Sequence, residues 1–447
     1  MLSSRSMDQP VDPETLARLY EEHLAILQKR YAEVLRESGW DSVLIHSGTP
    51  KPRSAYDDQF FPMRPTPYFQ HWAPLVRPES GVLLESGKKP TLYLNAEKNF
   101  WEAHPEPETG HFWKGFEIVE VDPPEQVREL RPQGKVALIS EDAKRGQSWG
   151  FDEASRNPAG LMKKLDGLRT RKTPYELLCL REANRRAAIG HRACVEAFEK
   201  GDPSEFDLHL LYLAKTGQDD QDTPYKNIVA EDEHAATLHH VTYSRKNVGA
   251  HALLVDAGAS YQGYQSDITR TAVKGGGAGS AAFRDLVSKV DAIQQEMCRR
   301  VKIGMPYERL HNESHDLLAR VLRETGIVKA SEDELVTSGV TRKFLPHGLG
   351  HSLGLQTHDV GCATALPESR NPWLRNTSIV EEGQVFTIEP GCYFIDALMD
   401  EVRAGAFSSR VDWPLVAELR KFGGVRIEDD LVVGAAGVTN LTREFLG

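Results

Sequence analysis

Apolar positions recur along this chain in two rhythms. Between Asp12 and Gly39, Leu16, Leu19, Leu24, Leu27, Tyr31, Val34 and Leu35 return every three or four residues, the period of a helix that buries one face. Asp12 is placed to cap that helix and Pro13 to occupy its first position, where no backbone N–H is needed. Gly39 is placed to end it. Shorter apolar runs then predict strands over 43–46, 81–85, 91–95, 117–121 and 135–140. Short helical patterns lie between some of them, so the first third reads as a mixed α/β domain.

A basic stretch with Gly and Pro, DGLRTRKTP at 166–174, precedes a long helical pattern from Tyr175 to Lys200. A domain boundary is expected there, dividing the chain into residues 1–167 and 168–447. In the second part, helices are predicted over 205–215, 281–300 and 307–324, and strands over 251–256, 267–273, 385–389 and 424–433. The strands come as a hairpin, then helices, then more strands. That order favours α+β over a doubly wound sheet. The glycine-rich segment GGGAGS at 275–280 lacks the Lys-Ser/Thr ending of a phosphate-binding loop and reads as a connection.

Composition narrows the function classes. The 447 residues are 40% apolar and 27% charged, as in an ordinary globular protein. The 54 basic and 65 acidic residues leave a net charge of −11, which argues against nucleic acid and acidic membrane surfaces as partners. No apolar run of spanning length occurs, and MLSSRSMDQPVDPET carries no apolar stretch that would read as a secretory signal. Five cysteines, Cys179, Cys194, Cys298, Cys362 and Cys392, form no CxxC pair. They read as inert thiols in a reducing, cytoplasmic compartment.

The chemistry concentrates in the second part, where carboxylates interrupt apolar strand patterns. In LLVDAGASYQGYQSDITRTA, a hairpin can set Asp256 beside Asp267. Two adjacent carboxylates repel unless a cation lies between them or one is protonated. In FLPHGLGHSLGLQTHDVG, three histidines fall within twelve residues. His347 and His351 are four apart and would share a face of a strand, whereas His358 needs a turn to join them. Glu389 in QVFTIEPGCYF and Glu428 in GGVRIEDDLVV sit where a lone buried carboxylate would be costly, although Arg426 shares the face of Glu428. Four carboxylates would balance two divalent ions. An oxygen-rich set with a single imidazole suits Mn²⁺, with Co²⁺, Fe²⁺ or Zn²⁺ as alternatives.

These segments, taken in order with HSGTPKPRSAYDDQFFPMRPTPYFQHW and YKNIVAEDEHAATLHH, resemble the prolidases (Xaa-Pro dipeptidases) of the pita-bread metallopeptidase family. The resemblance is to the bacterial type that includes the organophosphorus acid anhydrolases, and it covers most of the chain. It implies a pita-bread catalytic domain behind a smaller α/β amino-terminal domain. It also implies two metal ions held by Asp256, Asp267, His351, Glu389 and Glu428. Asp256 would hold one ion and His351 the other, with Asp267 and Glu428 shared. Glu389 would shuttle a proton, His358 would stabilise the tetrahedral intermediate, and His239 and His347 would line the pocket. Tyr225 and Tyr307 match further pocket positions. A homodimer is implied, in which Asp58 and Trp101 help close the neighbouring pocket.

One departure stands out. The family reads LR-x-T-R before its TIEPG strand, and the second arginine meets the substrate carboxylate. Here Ser378 follows Leu374-Arg375-Asn376-Thr377, which leaves Arg375 as the remaining guanidinium. The expected activity is hydrolysis of the bond before proline in dipeptides, with phosphotriesters as side substrates. An aminopeptidase P acting on longer peptides, a methionine aminopeptidase and a non-catalytic pita-bread binding protein are the alternatives.

Overall fold

A computed structural model describes residues 10–98 and 110–447. The chain divides into two compact units, Pro10–Cys179 and Leu180–Gly447. The expected boundary at residue 167 falls inside a helix, Ala159–Thr170, and the division lies within the next one, Pro174–Lys200.

The amino-terminal unit opens with the helix Pro13–Ser38. The Asp12 side chain accepts from the Thr15 N–H at 3.0 Å, and Gly39 ends the helix at φ +68°. Five strands follow: β1 (Ser42–His46), β2 (Gly81–Glu85), β3 (Thr91–Asn95), β4 (Glu117–Val121) and β5 (Val136–Ile139). They form one sheet in the order β4-β3-β2-β1-β5. β2 runs antiparallel to both β1 and β3, while β5 and β4 add in parallel at the two edges. Leu44, Leu83, Tyr93, Leu138 and Trp149 fill the core against it.

The second unit is built from small antiparallel sheets with helices packed on them. β6 (Ile228–Glu231), β7 (Ala252–Asp256) and β10 (Thr269–Val273) form one sheet in the order β10-β7-β6, and the ribbon β8 (Ser260–Tyr261) and β9 (Tyr264–Gln265) lies between β7 and β10 in sequence. β11 (Val385–Ile388), β14 (Asp429–Gly434) and β15 (Gly437–Asn440) form a second sheet. β12 (Gly391–Tyr393) pairs with β13 (Gly424–Arg426). The helices Ala278–Arg300 and Tyr307–Glu324 bury apolar stripes, including Phe283, Leu286, Val290, Leu310, Leu318 and Leu322, in the same core as Val425 and Leu431. Strands and helices are segregated, as α+β predicts.

Two departures from the predicted elements shape the cleft. The strand expected over 424–433 is broken between Arg426 and Asp429, and at the break Glu428 makes an isolated bridge to Thr269 of β10. The His347–His351 segment is not a strand. It is an irregular loop that touches β11 through a bridge from Ser352 to Phe386. Gly350 explains this course, because a Cβ there would lie 2.1 Å from the Thr387 carbonyl oxygen.

The hairpin after β7 depends on one close approach and one tight turn. Gln262 and Gly263 both have positive φ (53° and 86°), as a two-residue hairpin loop requires. At Gly258 a Cβ would meet the Ser266 carbonyl oxygen at 1.9 Å. The variant Gly258→Ala must therefore push β7 and its return strand apart, at a cost of about 1–3 kcal/mol. A thermal melt should show a lowered midpoint together with reduced activity. An unchanged midpoint would mean that the backbones do not approach so closely.

Candidate active site

Antiparallel pairing of β7 with β10 sets Asp256 opposite Thr269, and the turn brings back Asp267 two residues before it. The Tyr225 hydroxyl donates to Asp256 Oδ1 at 2.6 Å and also reaches Asp267 Oδ1. Burial, and then the charges of Asp256 and Asp267, push the Tyr225 phenol well above its usual range, so it stays a proton donor to both. The two aspartates thus meet as the hairpin spacing predicts.

The second sheet supplies the other carboxylates. Glu389 follows the end of β11, and Glu428 sits at the break between β13 and β14. His351 stands among them. Its Nε2 lies 3.3 Å from Asp267 Oδ2, 3.8 Å from Glu428 Oε1 and 3.9 Å from Glu389 Oε1. The Thr387 hydroxyl accepts from the His351 N–H at 3.2 Å, and the Thr387 N–H donates to the His351 carbonyl at 2.9 Å, which fixes the loop on β11. His347 Nδ1 is 3.6 Å from Glu389 Oε2, and its Nε2 is 2.8 Å from the Tyr393 hydroxyl. Both histidines reach Glu389 without a strand to align them.

Arg426, Tyr393 and Thr269 complete the cluster and were not singled out from the sequence as site residues. Arg426 donates to Asp256 Oδ2 at 2.5 Å, to the Tyr393 hydroxyl at 2.9 Å and to Thr269 Oγ1 at 3.2 Å. The Thr269 hydroxyl in turn donates to Glu428 Oε2 at 2.8 Å. The face that Arg426 shares with Glu428 therefore points inward, and both side chains are buried. The available signal was the alternation in VRIED: a cation two residues from a buried carboxylate on the same face.

The electrostatics follow from this crowding. Burial raises the carboxyls of Asp267 and Glu428, and pushes Glu389 up to about 7. Burial works against charge on His351 too, but the hydrogen bond and charge of Asp267, with Glu389, outweigh it and lift the imidazole to about 9. Every one of these shifts favours added positive charge at this point. Glu428 Oε1 is buried and accepts no hydrogen bond from any described residue. One ligand atom each from Asp267, His351 and Glu428 lies within 4.8 Å of the others. Three hard or borderline donors, one with an open lone pair, fit a divalent cation.

The remaining expected residues divide. His358 stacks edge-on against His351, with ring centroids 4.4 Å apart. Burial, then His351 and Arg375, hold its imidazole down at about 3, so it is neutral. His239 and Arg375 are exposed, and both contribute to the field at His358. Tyr307 is a correction to the pocket assignment. It is fully buried in the apolar core and its hydroxyl donates to the Thr387 carbonyl at 2.8 Å, so it supports β11 from behind. Ser378 is buried, and its hydroxyl and N–H both donate to Asn376 Oδ1. Asp58 lies on an exposed loop of the amino-terminal unit. Trp101 is outside the described residues.

The family model described as Metallopeptidase family M24 matches residues 178–435, and that described as Xaa-Pro dipeptidase, N-terminal domain matches residues 18–166. A curated Xaa-Pro dipeptidase of Edwardsiella ictaluri is 40% identical, with 97% of this chain and 99% of that protein covered. One from Pseudoalteromonas haloplanktis is 39% identical over the same shares of the two chains. Among solved structures, zinc-substituted aminopeptidase P of E. coli in complex with product aligns with a TM-score of 0.71 at 22% identity, over 98% of this chain and 96% of that one. Proline aminopeptidase P II from Yersinia pestis aligns with a TM-score of 0.71 at 24% identity, over 95% and 96%. These two share the fold.

The buried pair of Arg426 and Asp256 gives a direct test. Arg426→Met leaves Asp256 without its guanidinium and should remove about 3–5 kcal/mol from the stability of the 180–447 unit. Tyr393→Phe should remove about 1 kcal/mol, a single neutral hydrogen bond. Urea melts followed by tryptophan fluorescence compare the two, and equal midpoints would show that the guanidinium does not hold the cluster.

Proposed function

The chain belongs to metallopeptidase family M24, and we propose that it is an Xaa-Pro dipeptidase working with two divalent ions, Mn²⁺ by preference. The observation that carries the reading is the convergence of Asp267, His351 and Glu428 beside Asp256 and Glu389, with Glu428 Oε1 free to ligate. Asp256, Asp267, His351, Glu389 and Glu428 are the proposed ligands. Bound there, the ions supply an activated water and polarise the scissile carbonyl.

The residues of the chain perform the rest. Glu389 moves a proton from the attacking water to the leaving prolyl nitrogen. His358 is neutral and presents an N–H to the developing oxyanion. His347 is held in one orientation by Tyr393 and, with His239, lines the pocket. Tyr225 holds the two aspartates in place. Arg375 takes the substrate carboxylate, because Ser378 is turned inward onto Asn376. In a homodimer, Asp58 and Trp101 of each chain would close the pocket of the other. No helix among the described residues is long and apolar enough to cross a membrane. Five thiols without a disulfide suit the cytoplasm.

Metal-stripped enzyme with Mn²⁺ restored should hydrolyse Ala-Pro with a much higher kcat/KM than Ala-Pro-Gly. A preference for the tripeptide would make the protein an aminopeptidase, and no metal-dependent turnover of either would overturn the reading. Arg375→Ala should raise KM for Ala-Pro about tenfold or more, the worth of a charge-assisted pair, with kcat little changed. Steady-state kinetics separate the two parameters, and an unchanged KM would remove Arg375 from the pocket.

A further inference from the structure

A second convergence of ligand-type side chains lies near the far end of β6. Ile228 pairs with Asp256, whereas Glu231 pairs with Leu253 at the opposite end of the strand, about 10 Å away at the usual rise per residue. Glu205, in the first turn of the helix Glu205–Thr216, is fully buried there. Its Oε1 accepts from His234 Nδ1 at 2.7 Å and from the Glu231 N–H at 2.9 Å. Its Oε2 accepts from His240 Nε2 at 3.0 Å and from the Ser244 N–H at 2.7 Å. The two imidazoles stack with centroids 4.6 Å apart.

We propose that Glu205, His234 and His240 form a further metal site, for one ion of the Zn²⁺ class, separate from the proposed catalytic pair. One carboxylate oxygen and two imidazole nitrogens lie within 4.8 Å of one another. Tetrahedral ligation at about 2.0–2.1 Å separates neighbouring ligand atoms by about 3.3 Å, so the Glu205–histidine contacts of 2.7 and 3.0 Å must lengthen as an ion takes the place of their protons. Each histidine then carries its proton on its other nitrogen, and the two backbone N–H groups stay on the carboxylate and orient it. The His234 side chain is 45% exposed, which leaves a fourth position open to water.

A second buried group points to a cation here. The Glu231 side chain is in a residue only 4% exposed, and neither of its oxygens accepts a hydrogen bond from any described residue. A cation held at Glu205, whose Oε1 takes the Glu231 N–H, would answer this carboxylate as well. The bound ion would clasp the turn between His234 and His240, which carries His239 and so connects to the field around His358.

The test is metal content per chain after equilibrium dialysis of the Mn²⁺-loaded enzyme against micromolar Zn²⁺, measured by plasma mass spectrometry. Wild type and His239→Ala should each hold one more Zn²⁺ per chain than His234→Gln and His240→Phe. His234 is half exposed, so His234→Gln keeps the fold, which a thermal melt and circular dichroism verify. Equal zinc content in wild type and folded His234→Gln overturns the proposal. Loss of the additional ion in His239→Ala also overturns it, because the ion then belongs to the catalytic cleft.

Discussion

Four carboxylates brought together out of water need positive charge close by. At about 4 Å, with an effective dielectric near 20, two like charges repel by about 4 kcal/mol. Asp256, Asp267, Glu389 and Glu428 come from the ends and breaks of strands in two sheets, and the fold brings them together at His351 and Arg426. The architecture of the second unit can be understood as the means of holding these charges. Small antiparallel sheets end at the cleft, and helices bury apolar stripes behind them. Glycines sit where the backbone must come within a Cβ's reach of its neighbour.

The supporting groups divide this electrostatic load. The Arg426 guanidinium answers Asp256 and is braced by Tyr393 and Thr269. Tyr225 shares one hydroxyl between the two aspartates. His351, lifted to about 9, serves the remaining three carboxylates. Glu428 Oε1 is left with an open lone pair. The open oxygen and the raised carboxyls make this cluster suited to divalent cations.

The cluster of Glu205, His234 and His240 shows the same physics on a smaller scale. A buried carboxylate at the start of a helix gathers every donor within reach, and Glu231 beside it remains without one. The turn between His234 and His240 links this cluster to His239, so the two charged regions share a short piece of backbone. The proposed ion would act on the pocket through that turn, by positioning His239.

Local rules made much of the chain legible from its sequence. The helix Pro13–Ser38 follows from Asp12, Pro13, Gly39 and one apolar stripe, because its hydrogen bonds and caps close within a few residues. The hairpin was equally readable, since the turn residues and the alternation of β7 set Asp256 beside Asp267. Carboxylates inside apolar strands marked the site, because burying one alone is costly wherever it sits. Tertiary structure decided what depends on contacts distant in sequence. Arg426 meets Asp256 across 170 residues. The break that releases Glu428 from its strand is made where β10 bridges it, and the glycines around His351 let that loop lie directly on β11. Tyr307 was withdrawn from the pocket into the core by a carbonyl 80 residues away. Periodicity carries information about a residue's neighbours along the chain, and these pairings are chosen only when separate elements compete to bury the same surface and satisfy the same charges.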